Sequence, residues 1–152
     1  MQVSNLLSGK QVQTITPDAT IKELSQSLTE LKIGALVVSS DGKNILGIVS
    51  ERDIVQALPS HLHEIEKIHV RDIMTVTVMT CKKDSTIAQL MALMTEKRIR
   101  HVPVVDDSGA LISIISIGDV VKSYVSEIDE ERNALLEYDK TAGKRRINLP
   151  IT

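Results

Sequence analysis

Phenylalanine and tryptophan are absent from these 152 residues, and Tyr124 and Tyr138 are the only aromatic side chains. The core must therefore be aliphatic, built from Ile, Val, Leu, Met and Ala. Stacking platforms for single-stranded nucleic acid are missing, and a formal charge of -2 gives no global attraction for a polyanion, so no nucleic-acid partner is expected. A single cysteine, Cys81, cannot form an internal disulfide, and nothing indicates an oxidising compartment. No apolar run approaches the ~20 residues that cross a bilayer, and the amino terminus lacks a charged start followed by an apolar signal stretch. The expectation is a soluble, cytoplasmic protein without a membrane partner. Gly-rich phosphate loops, paired cysteines and a His-Glu-x-x-His motif are also absent, and with them the corresponding nucleotide and zinc chemistries. His61, His63 and His69 read as solvated histidines, so no metal site is expected.

What the chain does contain is a duplication. Residues 12–58 and 78–124 superpose at a constant offset of 66, with about fifteen identities, among them Val12/Val78, Thr20/Thr86, Ile33/Ile99, Ser50/Ser116 and Asp53/Asp119. Two copies of so small a unit pack together because neither buries its apolar face alone. Function is expected in the cleft between them.

Each copy reads as strand, helix, strand, strand, helix. An extended Val-x-Thr segment at Val12–Thr14 or Val78–Thr80 leads into a helix announced by Thr20-x-x-Glu23 or Thr86-x-x-Gln89, the capping-box spacing. Apolar residues at helical intervals predict helices ending near Leu31 and Lys97. Ala35–Val38 with Ile45–Val49, and Val102–Val105 with Leu111–Ile115, predict hairpins around Asp41-Gly42 and Ser108-Gly109. A second helix is expected from Glu51 to about Leu58, stopped by Pro59, and from about Ile117 onward. The divisions are 1–60 for the first repeat, 61–69 for a linker, 70–126 for the second repeat and 127–152 for a helical extension and tail.

The strongest chemical signal is Ser50-Glu51-Arg52-Asp53 and its echo Ser116-Ile117-Gly118-Asp119, where a strand ends in Ser and Asp follows three residues later. One reading is helix capping, with Ser as N-cap and the acid near the positive end of the dipole. Another is recognition of a ribose, whose hydroxyls donate to Asp. The two readings are compatible. Cys81 aligns with apolar Ile15 and reads as a buried, inert thiol. His101 has no nucleophile or orienting acid in a recognised motif, and an enzyme is not expected.

These motifs, with Ile33–Val38, Val70-Arg71-Asp72-Ile73-Met74-Thr75 and Arg100–Asp106, resemble the CBS (cystathionine-β-synthase) domain. From residue 3 to about 125 the chain resembles a stand-alone pair of such domains, a Bateman module. The resemblance implies an α/β (α+β) fold of two βαββα repeats related by a pseudo-twofold, with a C-terminal helical extension. It implies a non-catalytic regulatory sensor whose clefts bind AMP, ADP, ATP, NAD or S-adenosylmethionine, with no required cofactor. It also implies a homodimer and a regulated protein partner. The family's ribose-binding pair falls on Ser50 and Asp53 and on Ser116 and Asp119. Its adenine-holding lead-in segments fall on Lys10, Gln11 and Val12 and on Val76, Thr77 and Val78, and its phosphate-facing basic position on Arg100 and His101. The first repeat has Gly34 and Ala35 at that position, so unequal clefts are expected. The alternative is a scaffold dimer without a physiological ligand.

Overall fold

The structure, a computed structural model, describes residues 1–9 and 11–142; Lys10 and the tail from 143, including Lys144 to Arg146, lie outside the described residues. The two leading helices form where their caps predict, α1 at Ile21–Leu31 and α4 at Ile87–Lys97. Thr20 and Thr86 accept from the amides of Glu23 and Gln89, each at 3.1 Å, and the reciprocal bond from the Thr86 amide to Gln89 closes the second box. One stripe of each helix is buried: Ile21, Leu24 and Leu28 on α1, and Ile87, Leu90 and Met94 on α4. Both helices stop at a left-handed residue, Lys32 (φ 55) and Arg98 (φ 53), whose amides return to the carbonyls of Leu28 and Met94.

In the first repeat β1 (Thr14–Ile15) runs parallel to β2 (Ala35–Val38), which pairs antiparallel with β3 (Gly47–Ser50). In the second, β4 (His101–Val105) pairs antiparallel with β5 (Leu111–Ser116), and the lead-in strand shrinks to one bridge from Cys81 to Val104. The strand pairing of the lead-in segments thus begins later than the Val-x-Thr pattern implies. Its anchors are the buried residues Ile15 and Cys81. Burial pushes the Cys81 thiol up to about 11, so it sits as an inert core group.

The constant offset fails at the hairpins. Asp41 accepts from the amides of Lys43 and Asn44, which hold its carboxyl down to about 2. The residue doing this work in the second repeat is Asp106, accepting from Ser108 and Ala110, although Asp107 is the aligned one. A bulge between Val104 and Val105 absorbs the shift.

Helix α2 (Glu51–His61) also corrects an expectation, because Pro59 lies within it. Proline removes the amide that would reach the Val55 carbonyl, near the end of the helix and on a residue that is 64% exposed. The chain continues as a 3-10 helix, Leu62–Lys67, and a short α3, Val70–Ile73. The last helix, α5, runs over Ile117–Ala142.

The halves are tied by an exchange of leading segments. Val3 is fully buried in the core of the second repeat with Leu90, Val102 and Val120, and its amide donates to Ser85. Val70 is fully buried in the core of the first with Leu24, Leu36 and Val49, and its amide donates to Ala19. Ser4 to Lys83 and Arg71 to Pro17 repeat the symmetry. Burying each valine is worth roughly 1.5–3 kcal/mol, and both contributions depend on the partner repeat. The halves are therefore one folding unit.

Candidate ligand-binding cleft

The end of β3 and start of α2 set the first corner. Ser50 is the N-cap of α2, and its hydroxyl accepts from the Asp53 amide at 3.3 Å. Asp53 in turn accepts from the Ser50 amide at 2.8 Å and the Ser50 hydroxyl at 3.1 Å, both on Oδ2. The capping reading thus holds, and both printed bonds to the carboxylate fall on one of its two oxygens. Ser116 and Asp119 make the same bonds at 2.9, 2.9 and 3.2 Å.

The corners differ in what stands opposite. Ser50 and Asp53 line a cleft of about 200 Å³ whose far wall comes from the second repeat: Thr77 and Val78 before α4, and Arg98, Arg100 and His101 between α4 and β4. Ser116 and Asp119 line no described cavity, and Asp119 is exposed. Gln11 is exposed and Val12 half-buried, neither against the cleft; Lys10 is outside the described residues. Val76 turns away and lines a second cavity of about 360 Å³ with Asn44, Ile45 and Thr80. That cavity is larger, but no charged side chain lines it. Volume alone would have chosen the less capable site.

His101 is half-buried, and burial pushes its imidazole below the ordinary value; the Arg100 charge adds to this, while Glu51 and Asp119 act against it. Gly34 makes room for it. A Cβ on Gly34 would lie 3.3 Å from His101 Cε1 and 3.4 Å from Glu51 Oε1. The contrast between Gly34-Ala35 and Arg100-His101 thus has a steric side, since all four residues line one cleft.

Sequence reasoning passed over several lining residues. Arg98 and Arg52 are both exposed, yet they line the cleft. Glu51 was visible only as a mismatch with Ile117 at the 66-residue offset. Thr75 was unforeseeable: its amide and carbonyl pair with Ile48 across the two repeats. The arrangement offers a carboxylate acceptor, a hydroxyl, guanidinium donors and an apolar flank, which suits a polar ligand carrying both hydroxyls and an anionic group.

Comparison with known proteins identifies the class. The CBS domain profile matches residues 3–60 and 70–126, and the chain belongs to the CBS domain family. It is 37% identical over 127 residues to the CBS domain-containing protein CBSX3, mitochondrial, of Arabidopsis thaliana, covering 81% of this chain but only 61% of that protein's length. Among solved structures, the CBS-domain containing protein ATU1752 of Agrobacterium tumefaciens shares 41% identity at a TM-score of 0.76, covering 82% of this chain and 99% of that one. CBSX2 of Arabidopsis thaliana, solved in complex with AMP, shares 26% at 0.70, covering 82% and 96%. The CBS domain pair of MJ0100, solved with 5'-methylthioadenosine and S-adenosyl-L-methionine, shares 25% at 0.71, covering 82% and 99%. The fold is that of a stand-alone CBS pair with an added C-terminal helix. No helix among the described residues is long and apolar enough to cross a membrane.

Proposed function

We propose that this chain is a non-catalytic regulatory module of the cytoplasm that binds an adenosine nucleotide of the AMP, ADP, ATP or NAD type between its repeats. Asp53 and Ser50 hold the ribose, Arg100 and His101 the phosphate, and Thr77 and Val78 flank the adenine. The observation carrying this reading is that one cleft joins the carboxylate and hydroxyl of the first repeat to the basic pair of the second. The AMP complex of the similar protein CBSX2 supports the ligand class. A second site on Ser116 and Asp119, with Lys10, Gln11 and Val12 as its remaining elements, is weaker or vacant. Binding shifts the relative packing of the repeats in a homodimer and thereby its engagement of a regulated partner, which requires different affinities for the two arrangements.

Isothermal titration with AMP, ADP, ATP, NAD and S-adenosylmethionine tests the reading. A phosphate-bearing nucleotide is expected to bind more tightly than adenosine itself. Heat from none of them leaves a scaffold, the reading favoured by the fact that both Ser-Asp caps are complete without a ligand.

A further inference from the structure

Helix α5 has 26 residues against the 11 of α2, its counterpart. Its first turns are anchored, with Val120 and Ser123 buried. From Ile128 to Thr141 every residue is exposed, a stretch about 20 Å long at 1.5 Å per residue. Isolated helices of about 12–15 residues are marginal in water, and this segment has no cover from the described body.

Most of its exposed apolar residues are ordered all the same, with Val125 and Leu136, 50% and 49% exposed, off the series. Ile117, Val121, Tyr124, Ile128, Leu135 and Tyr138 are each 42% to 68% exposed. They follow alternating steps of four and three, with Glu131 at the one remaining position of the series. That is the 3.5-residue period of a coiled-coil seam, which differs from the 3.6 of a stripe facing its own core. The flanks point to the occupant. Glu127 precedes seam residue Ile128, and Arg132, five residues on, follows Glu131. In a parallel pair of identical helices these two flanking positions meet across the seam, acid against base. Among the described residues Glu127 reaches only the Met1 amino group, at 3.8 Å, and Arg132 makes no ion pair.

We infer that α5 pairs in parallel with α5 of a second copy of this chain, forming a coiled coil with Ile128 and Leu135 at its centre and Glu127 facing Arg132 of the other copy. The inference rests on the reading that two copies associate, and is independent of any ligand. Glu131 lies within the seam beside the other helix's Arg132, a polar residue of the kind that costs stability and fixes register.

The test is the mass of the full chain by sedimentation equilibrium, for wild type, Leu135→Asp and Glu131→Leu. Wild type is expected as two chains and Leu135→Asp as one. Glu131→Leu should tighten the dimer about tenfold or more, since a buried Leu replaces a charge. Leu135 is 68% exposed, so its replacement spares the core. Leu135→Cys should cross-link to itself on oxidation, because in a parallel pair each seam residue meets its own copy. A single-chain mass for wild type overturns both the inference and the association reading. A dimer that survives Leu135→Asp overturns the inference alone, and a dimer broken by that change without the cross-link overturns the parallel pairing.

Discussion

The two Ser-x-x-Asp corners are chemically almost identical and structurally unequal. Each closes the same cap with the same bonds, from Ser50 to Asp53 and from Ser116 to Asp119. Among the described residues, the first lines the cleft with Arg100 and His101 on its opposite wall, and the second lines neither cavity. Local sequence thus specifies the cap, while the opposite repeat determines whether the cap becomes a binding wall. Because the second corner bears the same structural load without the cleft, it serves as an internal control for the first.

The largest expected effect uses that control. Asp53→Ala and Asp119→Ala each lose a first-turn acceptor and should destabilise by a similar ~1 kcal/mol in urea unfolding. Asp53→Ala should also weaken nucleotide binding roughly 10- to 100-fold, the ~1.5–3 kcal/mol of a hydrogen bond to a charged group. Equal binding losses in the two variants would put the ligand elsewhere.

The second strands provide the next contrast. A Cβ on Gly47 would lie 2.8 Å from the Thr75 carbonyl and 2.9 Å from Met74 Sδ, where the leading segment of the second repeat crosses β3. The second repeat has Ser113 at the equivalent position of β5. Gly47→Ala should cost about 1–3 kcal/mol by overpacking, and Ser113→Ala under about 1 kcal/mol. Chemical denaturation of both variants decides whether that crossing is as tight as it stands.

A smaller effect tests His101. Its lowered value means that the folded protein binds fewer protons there than the unfolded chain. Its contribution to stability is therefore present above the ordinary value of about 6.5 and is lost as pH falls from there through the folded value. A phosphate beside it would reverse the shift, so binding takes up a proton and tightens as pH falls below 7, by at most about tenfold per unit. The ligand's own phosphate titrates as well, which makes the comparison with His101→Gln decisive. Coincident affinity profiles for wild type and this variant would remove His101 from the phosphate site.

The smallest effect concerns the left-handed helix ends. Lys32→Gly and Arg98→Gly should each stabilise by under about 1 kcal/mol in thermal melts, because glycine takes positive φ without steric cost. Arg98→Gly alone should also weaken nucleotide binding, since only Arg98 of this pair lines the cleft. Matching affinities would return Arg98 to a purely surface role.

Much of the fold was legible in the sequence because its signals are local. The ends of α1 and α4 at Leu31 and Lys97, both hairpins and both caps follow from periodicity and three-residue spacings. Pro59 misled, because a proline near the end of a helix can be accommodated without ending it. The turns at Asp41-Gly42 and Ser108-Gly109 were legible, whereas the one-residue bulge between Val104 and Val105 was not. The exchange of Val3 and Val70 escaped notice because short apolar segments preceding a repeat look the same whether they pack at home or across the interface.

By itself the chain determined the duplication, the aliphatic core, the helix starts and the Ser-Asp corners, all encoded within a few neighbouring residues. Tertiary structure alone decided that Asp53, and not Asp119, shares a cleft with Arg100 and His101, and that each repeat completes the other's core. A duplicated sequence is nearly symmetric under exchange of its halves. The few positions that break the symmetry, such as Gly34 against Arg100, act only once packing brings them face to face.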